Sequence, residues 1–370
     1  MSGICFFNTT KAWGGGEKWH LEAATYLWKQ QQTVLLVAHS KGALYQKAQA
    51  IGIPVHGLES GNLSFLNILK VYRLRQFFKR NAFGVVLMNL SRDVKLAGLA
   101  ARWAGIPRII YRRGSDIPVR NTWLNRLLFG KVISEVLVNS NATATSLLSN
   151  NPTLFPKEKI KVAYNGLDFE GMAQKLQTKA KQSVPGYDFG TGNPVHLVNL
   201  GRLEAQKNQG FLIDVAVELS RRALDFRMHI GGEGRLRKVL EDRINQENLE
   251  DRVKLHGFID SPLDFLSGGD IFLLPSHWEG FGYVLAEAAY VRKPVVAFNS
   301  SSNPEVIPDG KAGILTAPGD CMAFCDAVQS LIESPERRAT MGDYGHGYVT
   351  QNFEREKIMA DIAAYLSSED

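Results

Sequence analysis

Two carboxylates eight positions apart, Glu279 and Glu287, are the only formally charged side chains in HWEGFGYVLAEAA, residues 277–289. Gly280 and Gly282 between them let the backbone come close to a bound anion, and a helix starting there would offer it free amides. Such a helix carries Glu287 about a turn and a half inward, while Glu279 stays in the preceding loop. Carboxylates accept hydrogen bonds from hydroxyls and do not suit phosphate, so the pair fits two hydroxyl-bearing parts of one extended ligand. The cations come from LVNLGRLEAQKN: Arg202 supplies a planar fork of donors and Lys207 a compact charge beside Asn208, a combination suited to a diphosphate. A glycine turn, MHIGGEGRL, adds Gly231, Gly232 and Gly234. The alternative is structural. Glu279 could favour a helix dipole, Glu287 could be an exposed helical residue, and Arg202 and Lys207 could lie on the surface. The apolar neighbours of Glu287, from Leu285 to Val291, argue against simple exposure.

These residues all follow strand-like runs. VHLVNLG (195–201), FRMHIGG (226–232), VKLHG (253–257), DIFLLPS (270–276), PVVAFNS (294–300) and GILTA (313–317) alternate with helical stretches. The first half has the same rhythm in ICFFNTT, TVLLVAH, FGVVLMN, RIIYRR, EVLVNS and KIKVAYNG. Apolar strands alternating with helices predict parallel sheets covered on both faces. The fold class is therefore α/β, with two doubly wound, Rossmann-like domains facing each other across a cleft where ligands meet strand carboxyl ends. Domain boundaries are set at 1–175, a polar linker over 176–193, and 194–350, with a final helix over 351–370 crossing back to the first domain.

A chain of 370 residues suits two domains, and 45% hydrophobic with 22% charged residues is the composition of a folded soluble protein. Cys5, Cys321 and Cys325 form no metal-binding spacing and read as reduced cytosolic thiols. No signal peptide and no run of 18 apolar residues stands out, which predicts a cytoplasmic protein that can still touch a membrane surface. The net charge of +6 conceals an asymmetry: residues 1–168 hold 22 Lys and Arg against 8 Asp and Glu, whereas residues 169–370 hold 21 against 29. A basic first half suits nucleic acid, an anionic membrane or a phosphorylated substrate. No finger, homeodomain or RNA-binding aromatic motif accompanies it, so no specific nucleic-acid partner is expected. In LNILKVYRLRQFFKRNAF, residues 66–83, the five basic residues scatter around a helical wheel. That scatter favours a packed helix with snorkelling cations over one lying in a membrane interface.

Taken together, SHWEGFGYVLAEA, the Gly-Arg-x(4)-Lys-Asn segment at Gly201, Arg202, Lys207 and Asn208, and NPEVIPDGKAGILTAPGD resemble the retaining glycosyltransferases of family 4, also called group 1, with the GT-B fold. The E-x(7)-E motif of that family is met by Glu279 and Glu287. The resemblance implies a nucleotide-sugar co-substrate (UDP-, GDP- or ADP-linked), no other cofactor and no metal. It implies that Arg202 and Lys207 hold the donor diphosphate, that Glu287 takes the ribose hydroxyls and that Glu279 orients the sugar. The donor set extends to Gly201, Gly232, Gly280, Phe281 and Gly282, to Phe258 and Ile259 of HGFI beside the base, and to Gly15 and Gly16 of KAWGGGEKWHLEAA.

The acceptor side departs from the family. Many members carry a histidine near the end of the strand after the GIP turn, whereas this chain reads GIPRIIYRRGSDIP. Arg112 and Arg113 stand there, followed by Gly114 and Asp116. Arginine is no general base, but it holds phosphate or an acidic acceptor. Glu17, Arg112, Arg113 and Asp116 are accordingly the acceptor candidates. His20 follows the glycine loop within a helix and reads as structural. The expected activity is sugar transfer to a saccharide or lipid-linked acceptor, anionic ones included, in envelope polysaccharide or lipopolysaccharide-core synthesis, with peripheral contact at the cytoplasmic membrane face. The alternatives are a nonhydrolysing nucleotide-sugar epimerase of the same fold and a non-catalytic glycan-binding protein.

Overall fold

A computed structural model of the chain describes residues 3–180, 189 and 194–368. Most of the expected linker lies outside the described residues. The chain divides into two compact units, Met1–Gly166 together with Glu356–Asp370, and Leu167–Arg355.

In the first unit, among the described residues, seven parallel strands take the order β3-β2-β1-β4-β5-β6-β7. They are β1 (Gly3–Asn8), β2 (Val34–Ala38), β3 (Val55–Gly57), β4 (Phe83–Met88), β5 (Arg108–Arg113), β6 (Glu135–Val138) and β7 (Ile160–Val162). Every residue of β1 and β4 is buried, because helices cover both faces of the sheet. Sequence order runs outward from β1 in one direction and from β4 in the other, so the crevice at their carboxyl ends is the topological switch point.

The second unit repeats the plan with six described strands, ordered β10-β9-β8-β11-β12-β13. These are β8 (Val195–Leu200), β9 (Phe226–Gly231), β10 (Val253–Gly257), β11 (Ile271–Leu274), β12 (Val295–Phe298) and β13 (Gly313–Thr316). Here the switch point lies between β8 and β11. Those two strands deliver the GRLEAQKN and HWEGF loops.

The two chain passages between units are pinned to each other. Leu167 N donates to Phe353 O at 2.8 Å, Arg355 N donates to Leu167 O at 3.0 Å, and Arg355 pairs with Asp168 at 3.0 Å. The Phe169 ring stacks on Tyr290 at 4.9 Å, which holds the helix Phe169–Ala180 in the second unit. The last helix, Arg355–Ser367, is tied to the first sheet through Arg108. Arg108 makes two 2.8 Å hydrogen bonds to Glu135, and its Nη1 donates to the carbonyls of Tyr365, Leu366 and Ser368, satisfying the helix C-terminus. Burial pushes the Glu135 carboxyl up, but the hydrogen bonds from Arg108 and Tyr365 outweigh it and hold it below the usual range.

Two stability predictions follow from these contacts. Arg108→Ala leaves a half-buried carboxylate facing the Tyr365 hydroxyl, and should cost the first unit roughly 3 kcal/mol in urea unfolding; Tyr365→Phe should cost about 1 kcal/mol. In the second unit His229 is buried between His196 (3.1 Å) and His256 (2.9 Å), and burial pushes it down to about 3. The unfolded chain then binds the extra proton below its pKa of about 6.5. The unfolding midpoint of this unit should hold above that pH and fall as pH drops towards 3, and His229→Leu should flatten the slope.

Candidate active site

The loop after β8 begins at Gly201 and exposes Arg202, and a short 3-10 turn, Ala205–Lys207, then brings Lys207 back over it. Asn208 closes the turn in the left-handed region, φ +54°, which asparagine tolerates. The loop after β11 carries Glu279, buried at 6% exposure, and ends at Gly282. Gly282 has φ +76° and caps the helix Tyr283–Tyr290, a conformation that favours glycine.

These two loops are joined by a ladder of contacts. Gln206 Nε2 donates to Trp278 O at 2.8 Å and Gln206 O accepts from His277 N at 2.9 Å. Asn208 Nδ2 donates to Pro275 O at 3.2 Å. At its centre Lys207 Nζ meets Glu279 Oε1 at 2.6 Å, with the side chains only 14% and 8% exposed. The cation and one expected hydroxyl acceptor are thus paired with each other. Ser302 Oγ donates to Glu279 O at 3.3 Å and fixes its backbone.

The glycine turn after β9 has a packing reason for its composition. Gly232 lies at φ +134°, and a Cβ there would sit 1.9 Å from Gly201 O. A Cβ on Gly234 would sit 2.3 Å from Leu203 O. The turn is zipped to the Arg202 loop, with Gly201 N donating to Gly231 O at 3.0 Å and Leu203 N to Glu233 O at 3.0 Å. Gln209, itself buried, donates through Nε2 to Arg202 O at 3.1 Å. Glycine therefore sets how closely the two loops approach, and that closeness sets where Arg202 can point. Past β10, Phe258 is 72% exposed, whereas Ile259 is buried against Gly231. Phe281 is buried and packs edge-on to Phe353 at 5.1 Å, and Glu287 is half-buried on the Tyr283–Tyr290 helix.

In the first unit the switch point is polar but closed. Gly15 and Gly16 open the helix Gly15–Lys29, and a Cβ on Gly16 would sit 2.4 Å from Asn89 Nδ2. Glu17 is buried and accepts from Asn8 Nδ2 at 2.9 Å. Asp93 takes the Thr9 amide at 3.0 Å and the Thr9 hydroxyl, and burial lifts its carboxyl to about 6, with Glu17 adding to the rise.

Arg112, an acceptor candidate from sequence, is only 3% exposed. Its guanidinium stacks on Trp19 at 4.4 Å and donates to Asn89 at 3.3 Å and Asn165 at 2.7 Å. Its position follows from strand alternation. The guanidinium turns into the glycine-loop helix, leaving Arg113, half-buried, as the more accessible of the two. Asp116 is half-buried in the loop after β5. His20 is fully buried beside Phe6 and Trp19; burial, with Arg112 nearby, pushes it down to about 3, so the ring is neutral.

Sequence reading missed Gln206, Gln209, Asn89 and Trp19. Gln206 and Gln209 sit in or beside the motif, but amides carry no charge signal. Asn89 ends a strand, and only its position against Gly16 gives it meaning.

A double-mutant cycle measures the central pair. Lys207→Met, Glu279→Gln and the double variant should give a coupling energy of at least about 1 kcal/mol in the second unit's stability, because both groups are largely withdrawn from water. A coupling near zero would mean that the pair contributes no more than a surface salt bridge.

Residues 190–348 match the family described as Glycosyl transferases group 1, and residues 13–170 match Glycosyltransferase Family 4. The alpha-D-kanosaminyltransferase of Streptomyces kanamyceticus is 28% identical over 64% of this chain and 60% of its own length. The GDP-mannose-dependent alpha-(1-6)-phosphatidylinositol monomannoside mannosyltransferase of Mycolicibacterium smegmatis is 28% identical over 80% of this chain and 79% of its own. Among solved structures, Anabaena HepE in complex with UDP superposes with a TM-score of 0.81 at 23% identity, covering 99% of both chains, which establishes the GT-B fold. Both halves carry family matches and the fold agrees throughout: the chain belongs to the group 1, family 4 glycosyltransferases.

Proposed function

We propose that this chain transfers a sugar, with retention at the anomeric carbon, from a nucleotide-sugar donor to a saccharide or lipid-linked acceptor. The observation that carries the reading is the paired Lys207 and Glu279 at the β8/β11 switch point, with exposed Arg202 beside them. A nucleoside diphosphate arriving there meets two cations. It draws Lys207 towards phosphate and frees one Glu279 oxygen for a sugar hydroxyl. Arg202 and Lys207 then stabilise the negative charge that grows on the leaving diphosphate, and no metal enters the proposal.

In the reaction the bond from the anomeric carbon to the phosphate oxygen breaks. The acceptor oxygen bonds to that carbon on the same face, and the acceptor proton passes to the departing phosphate oxygen. Glu287 takes the ribose hydroxyls, and Phe258 with Ile259 borders the base. In the first unit, Gly15 and Gly16 are the donor candidates, and Glu17, Arg113 and Asp116 the acceptor candidates. Arg112 acts by holding Asn89, and with it the glycine loop, rather than by touching substrate.

Names of relatives support the substrate class. HepE was solved with UDP, and the Mycolicibacterium relative is named for a GDP-mannose donor and a phosphatidylinositol mannoside acceptor. The reading for this chain is envelope polysaccharide or lipopolysaccharide-core assembly at the cytoplasmic face of a membrane.

Incubation with UDP-, GDP- and ADP-sugars should reveal one donor that binds and is slowly hydrolysed without acceptor. Arg202→Ala or Lys207→Ala should lower turnover by about a hundredfold or more. Glu287→Ala should weaken donor binding by roughly tenfold to a hundredfold, as expected for loss of charge-assisted hydrogen bonds. Binding of none of the donors sinks the proposal. Formation of an epimeric nucleotide sugar without any acceptor would replace the proposal with an epimerase.

A further inference from the structure

The positive charge of the first half is concentrated in one stretch. Residues 61–132 contain fourteen Lys and Arg against two Asp, a net +12 out of the +14 carried by residues 1–168. Large hydrophobic side chains that remain exposed concentrate in the same stretch. Leu63, Leu66, Ile68 and Leu69 are 65–71% exposed, Tyr72 is 45% exposed and Trp103 is 48% exposed. A monomeric soluble surface seldom leaves this much aliphatic area together.

The helix Ile68–Asn81 explains the coincidence. Its buried stripe is Val71, Leu74 and Phe78, which packs into the core of the first unit. The outer side is graded along the axis instead of divided around it. Leu69 and Tyr72 stand at the N-terminal end, continuing the exposed Leu63 and Leu66 of the preceding turn, while Arg73, Lys79 and Arg80 follow towards the C-terminal end. A helical wheel collapses this axial gradient into scatter, which is why sequence favoured a merely packed helix.

The apolar end is rigidly mounted. Asn67 caps the helix by accepting from Lys70 N at 3.0 Å, and Lys70 Nζ is bound to Glu59 O and to Ser64 Oγ. Tyr72 lies 5.8 Å from the Trp103 ring, over which Arg75 stacks at 4.9 Å. These contacts hold the protruding leucines in place without covering them.

We infer that this face of the first unit, the Leu63–Tyr72 projection with Arg73, Lys79, Arg80 and Arg102 around it, docks on an anionic lipid bilayer. Aliphatic side chains at one end of a helix enter the boundary between headgroups and acyl chains, while cations further along meet lipid phosphates. A second copy of the chain fits poorly, since self-association would bring two strongly basic surfaces together. Nucleic acid fits poorly as well, because bases stack on aromatic rings rather than on leucine and isoleucine. Docking here deepens the reading that the acceptor is lipid-linked, while standing on the surface alone.

The test uses the full chain and vesicles in the absence of donor, so it is read separately from transfer activity. The protein should co-sediment with vesicles of mixed phosphatidylglycerol and phosphatidylcholine and stay in solution with phosphatidylcholine alone. The triple change Arg73→Gln, Lys79→Gln and Arg80→Gln should lower partitioning about a hundredfold, at about fivefold for each charge. Leu66→Gln with Leu69→Gln should lower it at least about tenfold, while Val239→Gln, an exposed apolar site in the second unit, should leave it unchanged. The substituted side chains are solvent-exposed, so circular dichroism melts should match the parent. Wild type that ignores anionic vesicles overturns the inference. So does partitioning unaffected by both sets of changes, or a surface that instead binds RNA or forms a dimer lost with Leu69. If vesicle binding behaves as stated but no sugar is transferred, the membrane surface stands and the proposed function fails.

Discussion

The Lys207–Glu279 ion pair at 2.6 Å is the interaction around which the second unit is arranged. Two charges this far withdrawn from water lose hydration that their attraction offsets only if the geometry is held closely. The surroundings provide that hold. β8 and β11 are hydrogen-bonded neighbours, their loops leave the sheet at the switch point, and Gln206 and Asn208 clip one loop to the other. The glycine turn after β9 then closes against Gly201 and Leu203. A larger residue at Gly232 would push the Arg202 loop outward and separate the charges the sheet has brought together. Within the pair each charge neutralises the other.

The first unit solves the same topological problem with the opposite electrostatics. Its switch point gathers Asn8, Thr9, Glu17, Asn89, Asp93 and Arg112, but their hydrogen-bonding groups turn mostly towards one another. Arg112 sits on the Trp19 face and bridges Asn89 to Asn165, so its charge serves to fix loops. A Cβ on Gly16 would meet the side-chain amide of Asn89, which would have to turn aside. The glycine loop is thus positioned by a buried arginine, while the second unit leaves Arg202 exposed to solvent.

Legibility of the sequence tracked how many constraints acted on a residue. Strands such as β1, β4, β11 and β12 are buried along their whole length, so their unbroken apolar runs were readable. β3 was not: Val55–Gly57 is a three-residue edge strand whose residues are half-buried or exposed, and no run of apolar residues marks it. Lys207 and Glu279 could be named from motif spacing, but their direct contact could not, since it depends on which strands are neighbours. Arg112 was legible as a departure from a family pattern and misleading as an accessible cation. A residue's face on a strand of this length depends on register, and a one-residue change of face converts a ligand contact into a packing contact.

The charge distribution shows why net charge and binding chemistry must be weighed at different scales. Residues 167–355, the second unit, hold 20 basic and 26 acidic residues, a net charge of −6, yet this is the unit whose loops carry Arg202 and Lys207. At physiological ionic strength fields from exposed charges fade over about 8 Å. A site built from Lys207, Arg202 and nearby backbone amides therefore responds to its own few groups and hardly to the sign of the surrounding surface. An extended anionic surface is the opposite case. It meets many exposed cations at once, so Arg73, Lys79, Arg80 and Arg102 act cumulatively there. A few clustered cations can act on an anion even on an acidic unit because the interaction is local, whereas the exposed cations of the first unit gain meaning only against something broad.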